Sequence, residues 1–400
     1  MPFTTRSCAV PEARPDVAIA GGGPVGLYLA VLLLQQGLSV RVYEQRRTRE
    51  RHSRAIGIHP PALRALALAG AASAMVRDGV PIRSGLAMSR GRVVGRMDFG
   101  GVAEDFPFIL ALPQFRTEEI LEERVLALDS GAIVRGAKVT GVADDDGAVT
   151  FTVRYTTGGT PPAVLTAGVL VAADGARSGL RDYFGPAVVR RNYPDHYLMG
   201  DFAAGDLDAE RAVLFLEPDG IVESFPLPGH LRRWVVRLPA PAGNADATEL
   251  GRLVRQRTGI NPAPATNTML SAFSVRSAIA RDSVRGRAVL LGDAAHEISP
   301  IGGQGMNLGW LDAASLAPLM PRILAGPYPA GELRDYGRAR HRAALVARRQ
   351  AEINMLLGRP LPAPLLTARN AAVGAAAAVP TVNRWVARRF TMQSDTSGPA

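Results

Sequence analysis

Residues Val17 to Glu44 constrain the fold more than any other part of this 400-residue chain. Val17-Ala18-Ile19-Ala20 is an apolar run without alternation, which predicts a short strand buried on both faces. Gly21-Gly22-Gly23-Pro24-Val25-Gly26 follows, then an apolar helix from Leu27 to about Gln36, capped by Gly37. A second strand, Ser39 to Tyr43, ends on Glu44. Gly21 suits the tight turn, Gly23 admits a pyrophosphate, and Gly26 lets helix and strand pack closely. The helix amino end favours an anion, with Pro24 and Val25 beside it, and Glu44 stands where a carboxylate accepts ribose hydroxyls. A glycine triplet alone is a weak signal. Strand, helix, second strand and terminal acid together predict an α/β, Rossmann-like dinucleotide domain.

A second stretch, Arg287 to Gly309, repeats this logic near the other end of the chain. Ala288 to Leu291 reads as a buried strand, and Gly292-Asp293 places a carboxylate at its carboxyl end. Pro300-Ile301-Gly302-Gly303-Gln304-Gly305 then leads into a helix expected to begin near Met306. Three glycines in four positions let backbone approach a flat ligand. The first amides of the helix carry partial positive charge that suits an anionic ring. The simpler alternative is a Gly-rich turn between strand and helix.

Composition narrows the class. At 47% hydrophobic and 20% charged, the chain is an ordinary globular protein, long enough for two cores. The formal charge of +10 is almost all arginine, Lys138 being the only lysine, and no block of like charge with interleaved aromatics appears. Nucleic-acid binding is therefore not expected. The single Cys8 fits a reducing, cytoplasmic setting. Pro2, Pro11 and Pro15 mark the first sixteen residues as a flexible tail and not a signal peptide, and no apolar run is long enough to span a membrane. No metal-ligand cluster stands out.

Between the two stretches, Arg54 precedes the apolar Ala55-Ile56-Gly57-Ile58 and is expected to turn inward, unlike Arg46, Arg47, Arg49 and Arg51, read mostly as a solvated loop. Gln114 lies just outside a helix expected over Thr117–Leu128 with Thr117 as its cap, and is either a capping amide or a cofactor ligand. Strands around 133–142 and 149–155 are joined by the turn Asp144-Asp145-Asp146-Gly147. A strand from Val164 to Ala173 ends on Asp174-Gly175, with a helix expected after it. Residues 186–279 concentrate aromatics in alternating patterns and predict an antiparallel sheet, with Phe202, Phe215, Phe225 and Pro300 as candidate substrate-lining residues. The expected division is a cofactor domain from 16–79, 105–185 and 280–330, a substrate domain from 80–104 and 186–279, and a helical region over 331–395. Packing is the favoured role of the last helices, with a membrane-surface contact as the alternative.

Gly21 to Gly26, Asp174-Gly175, and Gly292-Asp293 with Pro300 to Asn307, in this order, resemble the p-hydroxybenzoate hydroxylase family of single-component FAD-dependent aromatic monooxygenases. Arg54-Ala55-Ile56-Gly57 and Pro113-Gln114 also look like segments of that family, and the likeness runs from about Asp16 to Gly358. It implies a glutathione-reductase-type FAD domain beside an antiparallel substrate sheet. By that resemblance Glu44 holds the adenosine ribose, Arg54 and Gln114 reach the ribityl-pyrophosphate, and Asp293 binds the ribityl chain. Asp174 supports FAD and contributes indirectly to NAD(P)H use, while Gln45, Arg46, Ala55, Val139, Gly292 and Gly305 complete the cofactor set. Pro300, Gly302, Gly303, Met306 and Asn307 would line the flavin ring through backbone, with no side-chain base assigned among His59, His230 or His296.

The activity implied is hydroxylation of an aromatic or polycyclic small molecule by O2 and NADPH or NADH, through a flavin C4a-hydroperoxide, by a monomer or dimer. Secondary metabolism is a setting that the resemblance allows. Epoxidation and Baeyer–Villiger insertion remain open on the same scaffold. Halogenation is disfavoured by the missing Trp-x-Trp-x-Ile-Pro motif. Prenylated-GTPase escort proteins share the fold without flavin, and the complete Asp293 and Gly302–Gly305 motifs argue against that role.

Overall fold

A computed structural model describes residues 14–49, 54–145, 147–156, 160–185, 187–205, 210–326 and 330–393. Residues 1–13 of the expected amino-terminal tail, Cys8 among them, lie outside those residues, as do Arg51 and Asp146 of the Asp144–Gly147 turn.

The chain builds a six-stranded sheet in the order Val284–Arg285, Ala288–Leu290, Val169–Ala172, Val17–Ala20, Val40–Glu44, Ile133–Arg135. Its neighbours run parallel except for the terminal hairpin of Val284–Arg285 with Ala288–Leu290. The apolar runs lack alternation because both faces are covered. Val17, Ile19, Val42, Val171 and Val289 pack against helices Pro24–Gln35, Gln114–Leu128 and Gln304–Leu316. Ala18, Ala20, Tyr43, Leu170 and Leu290 face a three-stranded antiparallel sheet, Ala137–Asp145, Ala148–Tyr155 and Ala163–Ala167, through Val139, Val149 and Phe151. Side-chain period 2 sends each strand's residues alternately to the two layers.

A second large sheet has eight strands: His296–Glu297, Met269–Ala280, Val188–Ala203, Leu231–Leu238, Val222–Leu227, Arg211–Phe215, Ser84–Ser89 and Arg92–Asp98. All neighbours are antiparallel except Arg211–Phe215 with Ser84–Ser89. Leu198, Phe202, Val213, Phe215, Val222, Trp234 and Val236 form its rear face, covered by helix Ala247–Thr258 through Leu250 and Val254. Asp246 caps that helix by accepting from the Glu249 amide at 2.8 Å, and Gly259 ends it in the left-handed region.

Helix Ala330–Leu357 lies against Ile279, Ile298 and Leu308 through Ala344, Ala347 and Ala351. The region expected to be helical near 365–390 forms two helices, Ala363–Ala378 and Pro380–Phe390, broken where Pro380 follows the extended Val379. They pack on the Arg92–Asp98 strand, where Asn383 donates to the Arg96 carbonyl at 2.7 Å. Leu366 and Ala387 are buried and Trp385 points outward.

Several boundaries differ from expectation. The first helix starts at Pro24, where proline fits the first turn because its missing amide needs no partner there. The Gln114–Leu128 helix includes Gln114 and Thr117, with Pro113 outside it, so Thr117 is an interior residue and not a cap. Asp174-Gly175 leads into turns and a short 3-10 helix, Arg181–Phe184, instead of an α-helix. The late helix begins at Gln304, two residues before the expected start, because Gly303 adopts φ 66 and serves as its cap.

Candidate active site

One continuous cavity of about 1450 Å³ runs between the six-stranded sheet and the front of the eight-stranded sheet. At its first end the glycine turn is as tight as the fingerprint demands. Gly21 sits at φ 109, and a Cβ there would lie 2.3 Å from the Ala173 carbonyl oxygen. A Cβ on Gly26 would meet the Gly21 carbonyl oxygen at 2.1 Å, so only glycine allows helix and strand to approach this closely. Beside Gly23 the space is open, and Gly21, Gly23, Pro24 and Val25 all line the cavity. A helix amino end with free amides and no side-chain cap fits a phosphate group. Gly26 is packed beneath the cavity wall and does not line it.

Glu44 is buried at the end of its strand and faces this turn. Its carboxylate accepts from the Gly22 amide at 2.7 Å and from the Arg46 amide and Nε at 2.8 and 2.9 Å. Burial works to raise its pKa, but the Arg46 hydrogen bonds and charge and the Gly22 amide outweigh it. The carboxyl is held below the ordinary range, ionised and able to accept further donors. Gln45 and Arg46 line the same end. Gln114 donates from Nε2 to Glu118 at 2.8 Å, and from its backbone N–H to the Ala55 carbonyl at 3.1 Å. The buried Glu118 also lines the cavity and carries a raised pKa, chiefly through desolvation. Sequence reading missed it, although its spacing of four from Gln114 on one helix was a signal.

Asp174 and Asp293 stand at the carboxyl ends of neighbouring strands and both reach the cavity, as does Val139. One Asp174 oxygen accepts from the Gly179 amide at 3.0 Å, while the other is buried without a partner. The buried Arg181 ties the two segments together, donating to the carbonyls of Ala176, Asp293 and Ala294 at 3.1, 2.9 and 2.7 Å. Asp293 is exposed to the cavity yet enclosed by protein on its other sides. Loss of bulk water pushes its carboxyl up to about 6, with His296 and Arg181 opposing the rise and Glu297 and Asp312 adding to it. Gly292 lies behind it at φ 60, packed on Val25 and outside the cavity.

Pro300, Gly302, Gly303, Gly305 and Met306 line the middle of the cavity. Asn307 does not. It is fully buried and holds the loop from behind: its Nδ2 donates to the carbonyls of Gly57 and Gly303 at 2.9 and 2.6 Å. Its Oδ1 accepts from the His59 amide at 2.7 Å. His59 in turn donates from Nε2 to the Gly302 carbonyl at 3.2 Å, and burial pushes its pKa down to about 4. His59 is thus a neutral cavity-facing brace. His296 is buried behind the site with Asp312, which Arg340 also contacts, and its pKa is raised because Asp312 outweighs the desolvation. His230 sits in an exposed turn away from the cavity.

Arg54 lines the cavity but does not point toward the phosphate end. Its Nε donates to the Ser271 hydroxyl at 3.1 Å and its guanidinium lies 5.6 Å from the Phe273 ring centre. Ala55 and Phe225 also line the cavity. Phe202 and Phe215 do not, and their expected substrate contact is corrected: both are buried on the rear face against helix Ala247–Thr258. Strand parity is the reason. Asp201 and Arg233, paired with Phe225, share the front face, so Phe202 one residue on faces the rear.

A sequence model described as an FAD binding domain matches residues 14–351. The chain belongs to the FAD-dependent aromatic monooxygenases. It is 34% identical over 325 residues to the 6-methylpretetramide 4-monooxygenase of Streptomyces rimosus, covering 79% of this chain and 57% of that protein's length. It is 31% identical to the 12-dehydrotetracycline 5-monooxygenase/anhydrotetracycline 6-monooxygenase of that species, covering 87% of this chain and 71% of that protein. Among solved structures, the anhydrotetracycline hydroxylase of S. rimosus superposes with a TM-score of 0.78 at 27% identity, over 96% of this chain and 76% of that one. The p-nitrophenol 4-monooxygenase of Pseudomonas putida superposes with a TM-score of 0.85 at 23% identity, over 95% and 98%, a likeness of fold. The first of these relatives is much longer than this chain, which spans 57% of it.

FAD fits the residues present. The Gly21–Gly26 turn supplies the cradle, Glu44 an ionised acceptor, and Asp174 a buried oxygen without a partner. Among the described residues no group of His, Cys, Asp or Glu is arranged to hold a metal ion, and no helix is long and apolar enough to cross a membrane.

Proposed function

We propose that this protein hydroxylates a fused-ring, phenolic small molecule, using FAD with NAD(P)H and O2. The observation that carries this reading is the single cavity. It extends from the Glu44 acceptor, past the Pro300–Met306 loop, to the apolar front of the eight-stranded sheet. About 1450 Å³ exceeds the usual range for one small ligand, roughly 300–1000 Å³, and leaves room for a polycyclic substrate beside a dinucleotide. Relatives named for tetracycline-type substrates support that class.

In this reading Glu44, Gln114 and the Gly23–Pro24 helix start hold the adenosine and pyrophosphate, and Asp293 the ribityl chain. Bound FAD supplies the redox chemistry that passes electrons from NAD(P)H to O2. The amides of Gln304, Gly305 and Met306 present positive charge to the ring, and His59 and Asn307 keep that loop rigid. Met199, Val235, Phe225, Val386 and Phe390 exclude water from the substrate side. The 16–79, 105–185 and 280–330 segments serve the cofactor, and the 80–104 and 186–279 segments the substrate. A cytoplasmic setting suits a chain with a single cysteine.

The test is a titration. Purified protein should carry a flavin spectrum, anhydrotetracycline used as the probe should perturb it, and the probe should accelerate NAD(P)H oxidation severalfold. Protein unable to take up FAD, or NAD(P)H oxidation indifferent to every fused-ring phenol tried, would contradict the reading.

A further inference from the structure

The front face of the eight-stranded sheet is apolar at its centre apart from one residue. Strand register places Met199, Val235, Glu223 and Leu214 in one row, Val235 pairing with both Met199 and Glu223, and Leu214 with Glu223. Phe225 follows Glu223 two residues on along its strand, on the same face, and Ile221 stands just before that strand. All six line the cavity, and the five apolar members belong to one cluster that also contains Ile301 of the flavin loop.

Glu223 is 8% exposed, and its carboxyl makes no hydrogen bond or ion pair among the described residues. The two arginines that flank Val235 along its strand on this face are already committed: Arg233 grips Asp201 through 2.7 and 2.8 Å contacts, and Arg237 donates to Asp195 at 3.0 Å. The buried Tyr197 hydroxyl has no hydrogen-bond partner either, and the Glu223 charge adds to the burial that raises its pKa. Burial alone pushes Glu223 up to about 7. A carboxyl left unpaired in an apolar wall destabilises a fold, and such groups gather where a ligand completes them.

We propose that Glu223 is the acid–base group that orients the substrate: its carboxylate accepts the hydrogen bond of a phenolic hydroxyl on the ring to be oxygenated. This rests on the fused-ring phenol reading above. As the new C–O bond forms, the phenolic O–H bond breaks and its proton passes to a Glu223 oxygen. The bonding pair stays on the substrate oxygen and feeds the ortho or para carbon under attack. The O–O bond of the O2 consumed breaks in the same event, one atom entering the ring and the other leaving as water with the two electrons that NAD(P)H supplies. When that carbon loses its hydrogen as a proton and aromaticity returns, Glu223 gives its proton back to the substrate oxygen.

The experiment compares two probes on the FAD-loaded protein, 2-hydroxyanthraquinone and 2-methoxyanthraquinone, by difference absorbance. Glu223→Gln should weaken the hydroxy probe about tenfold or more and leave the methoxy probe within about twofold. Glu223→Asp, which withdraws the carboxyl by one methylene, should give an intermediate loss for the hydroxy probe alone. Equal binding of the hydroxy probe by wild type and Glu223→Gln, or parallel weakening of both probes, overturns the role of Glu223. Wild-type, FAD-loaded protein that binds neither probe removes the substrate-class reading, and this proposal with it.

Discussion

At single residues, desolvation raises three cavity-lining carboxyls, Glu118, Asp293 and Glu223, and the last two have opposite prospects once ligands arrive. Asp293 reaches about 6, and a ribityl hydroxyl donating to it favours the ionised form. FAD affinity should therefore fall as pH drops through 6, and Asp293→Ala should weaken FAD retention about tenfold or more. Undiminished cofactor content after gel filtration would refute that assignment. Glu223 has no partner to offset its burial. Its folded pKa of about 7 lies above the ordinary 4.5, so folding favours the protonated form. The penalty is absent below about pH 4.5, grows as pH rises toward 7, and is complete above it. Glu223→Gln should thus stabilise the protein at pH 8 by up to about 3 kcal/mol, with the gain disappearing in acid. Urea unfolding at pH 5 and pH 8 measures this, and a gain of equal size at both would contradict it.

The sequence made Glu44, Asp174 and Asp293 legible because each follows an apolar run and sits beside glycine or at a strand end, both local signals. Glu223 and His59 carried no such mark. Glu223 looks like any polar residue in a strand until register shows that it shares a face with Phe225 and Met199. Arg54 was expected to turn inward, and it does line the cavity, but Ser271 and Phe273, more than two hundred positions away, decide where its guanidinium goes.

Among elements, the loop before helix Gln304–Leu316 depends on a side chain that never reaches the cavity. Asn307 makes three hydrogen bonds, two that join it to Gly57 and His59 and one to the Gly303 carbonyl of the loop. Asn307→Ala leaves buried partners unsatisfied and should destabilise the protein by about 2–4 kcal/mol. The visible circular dichroism of bound flavin should weaken with it, and an unchanged flavin signal would show that the loop is held by other contacts. Strand register predicts a further contrast. Phe225→Ala should weaken fused-ring binding with a small loss of stability. Phe215→Ala, in the rear core against Trp234, should lower Tm at roughly 3–5 kcal/mol and leave binding by the folded protein unchanged. Binding titrations beside thermal melts separate the two; a rear-face variant with selectively altered binding would overturn the placement. Helix and strand existence was readable because hydrophobic periodicity is local. The start at Gln304 was not, since it depends on the φ of Gly303. The rear placement of Phe202 and Phe215 needed the pairing of strands far apart in sequence.

For the whole molecule, the two large sheets meet around one cavity, one side built of strand-end acids and glycine turns, the other largely of apolar side chains with Glu223 among them. The sequence showed the first side in full motifs, because binding phosphate and ribose demands particular residues at fixed spacings. It left the second side nearly silent, because enclosing a substrate asks only for apolar residues on the correct face. The carboxy-terminal helices close the remaining wall, with Phe390 stacked on Phe99 and edge-on to His59. In the proposed reaction this enclosure directs one atom of dioxygen into a fused-ring phenol. The decisive experiment is single-turnover reaction of the FAD-loaded protein with NAD(P)H, anhydrotetracycline and isotopically heavy dioxygen, followed by mass spectrometry. The expected result is a hydroxylated product carrying one heavy oxygen atom. A product whose added oxygen comes from water, or NAD(P)H oxidation that yields only hydrogen peroxide, would contradict it.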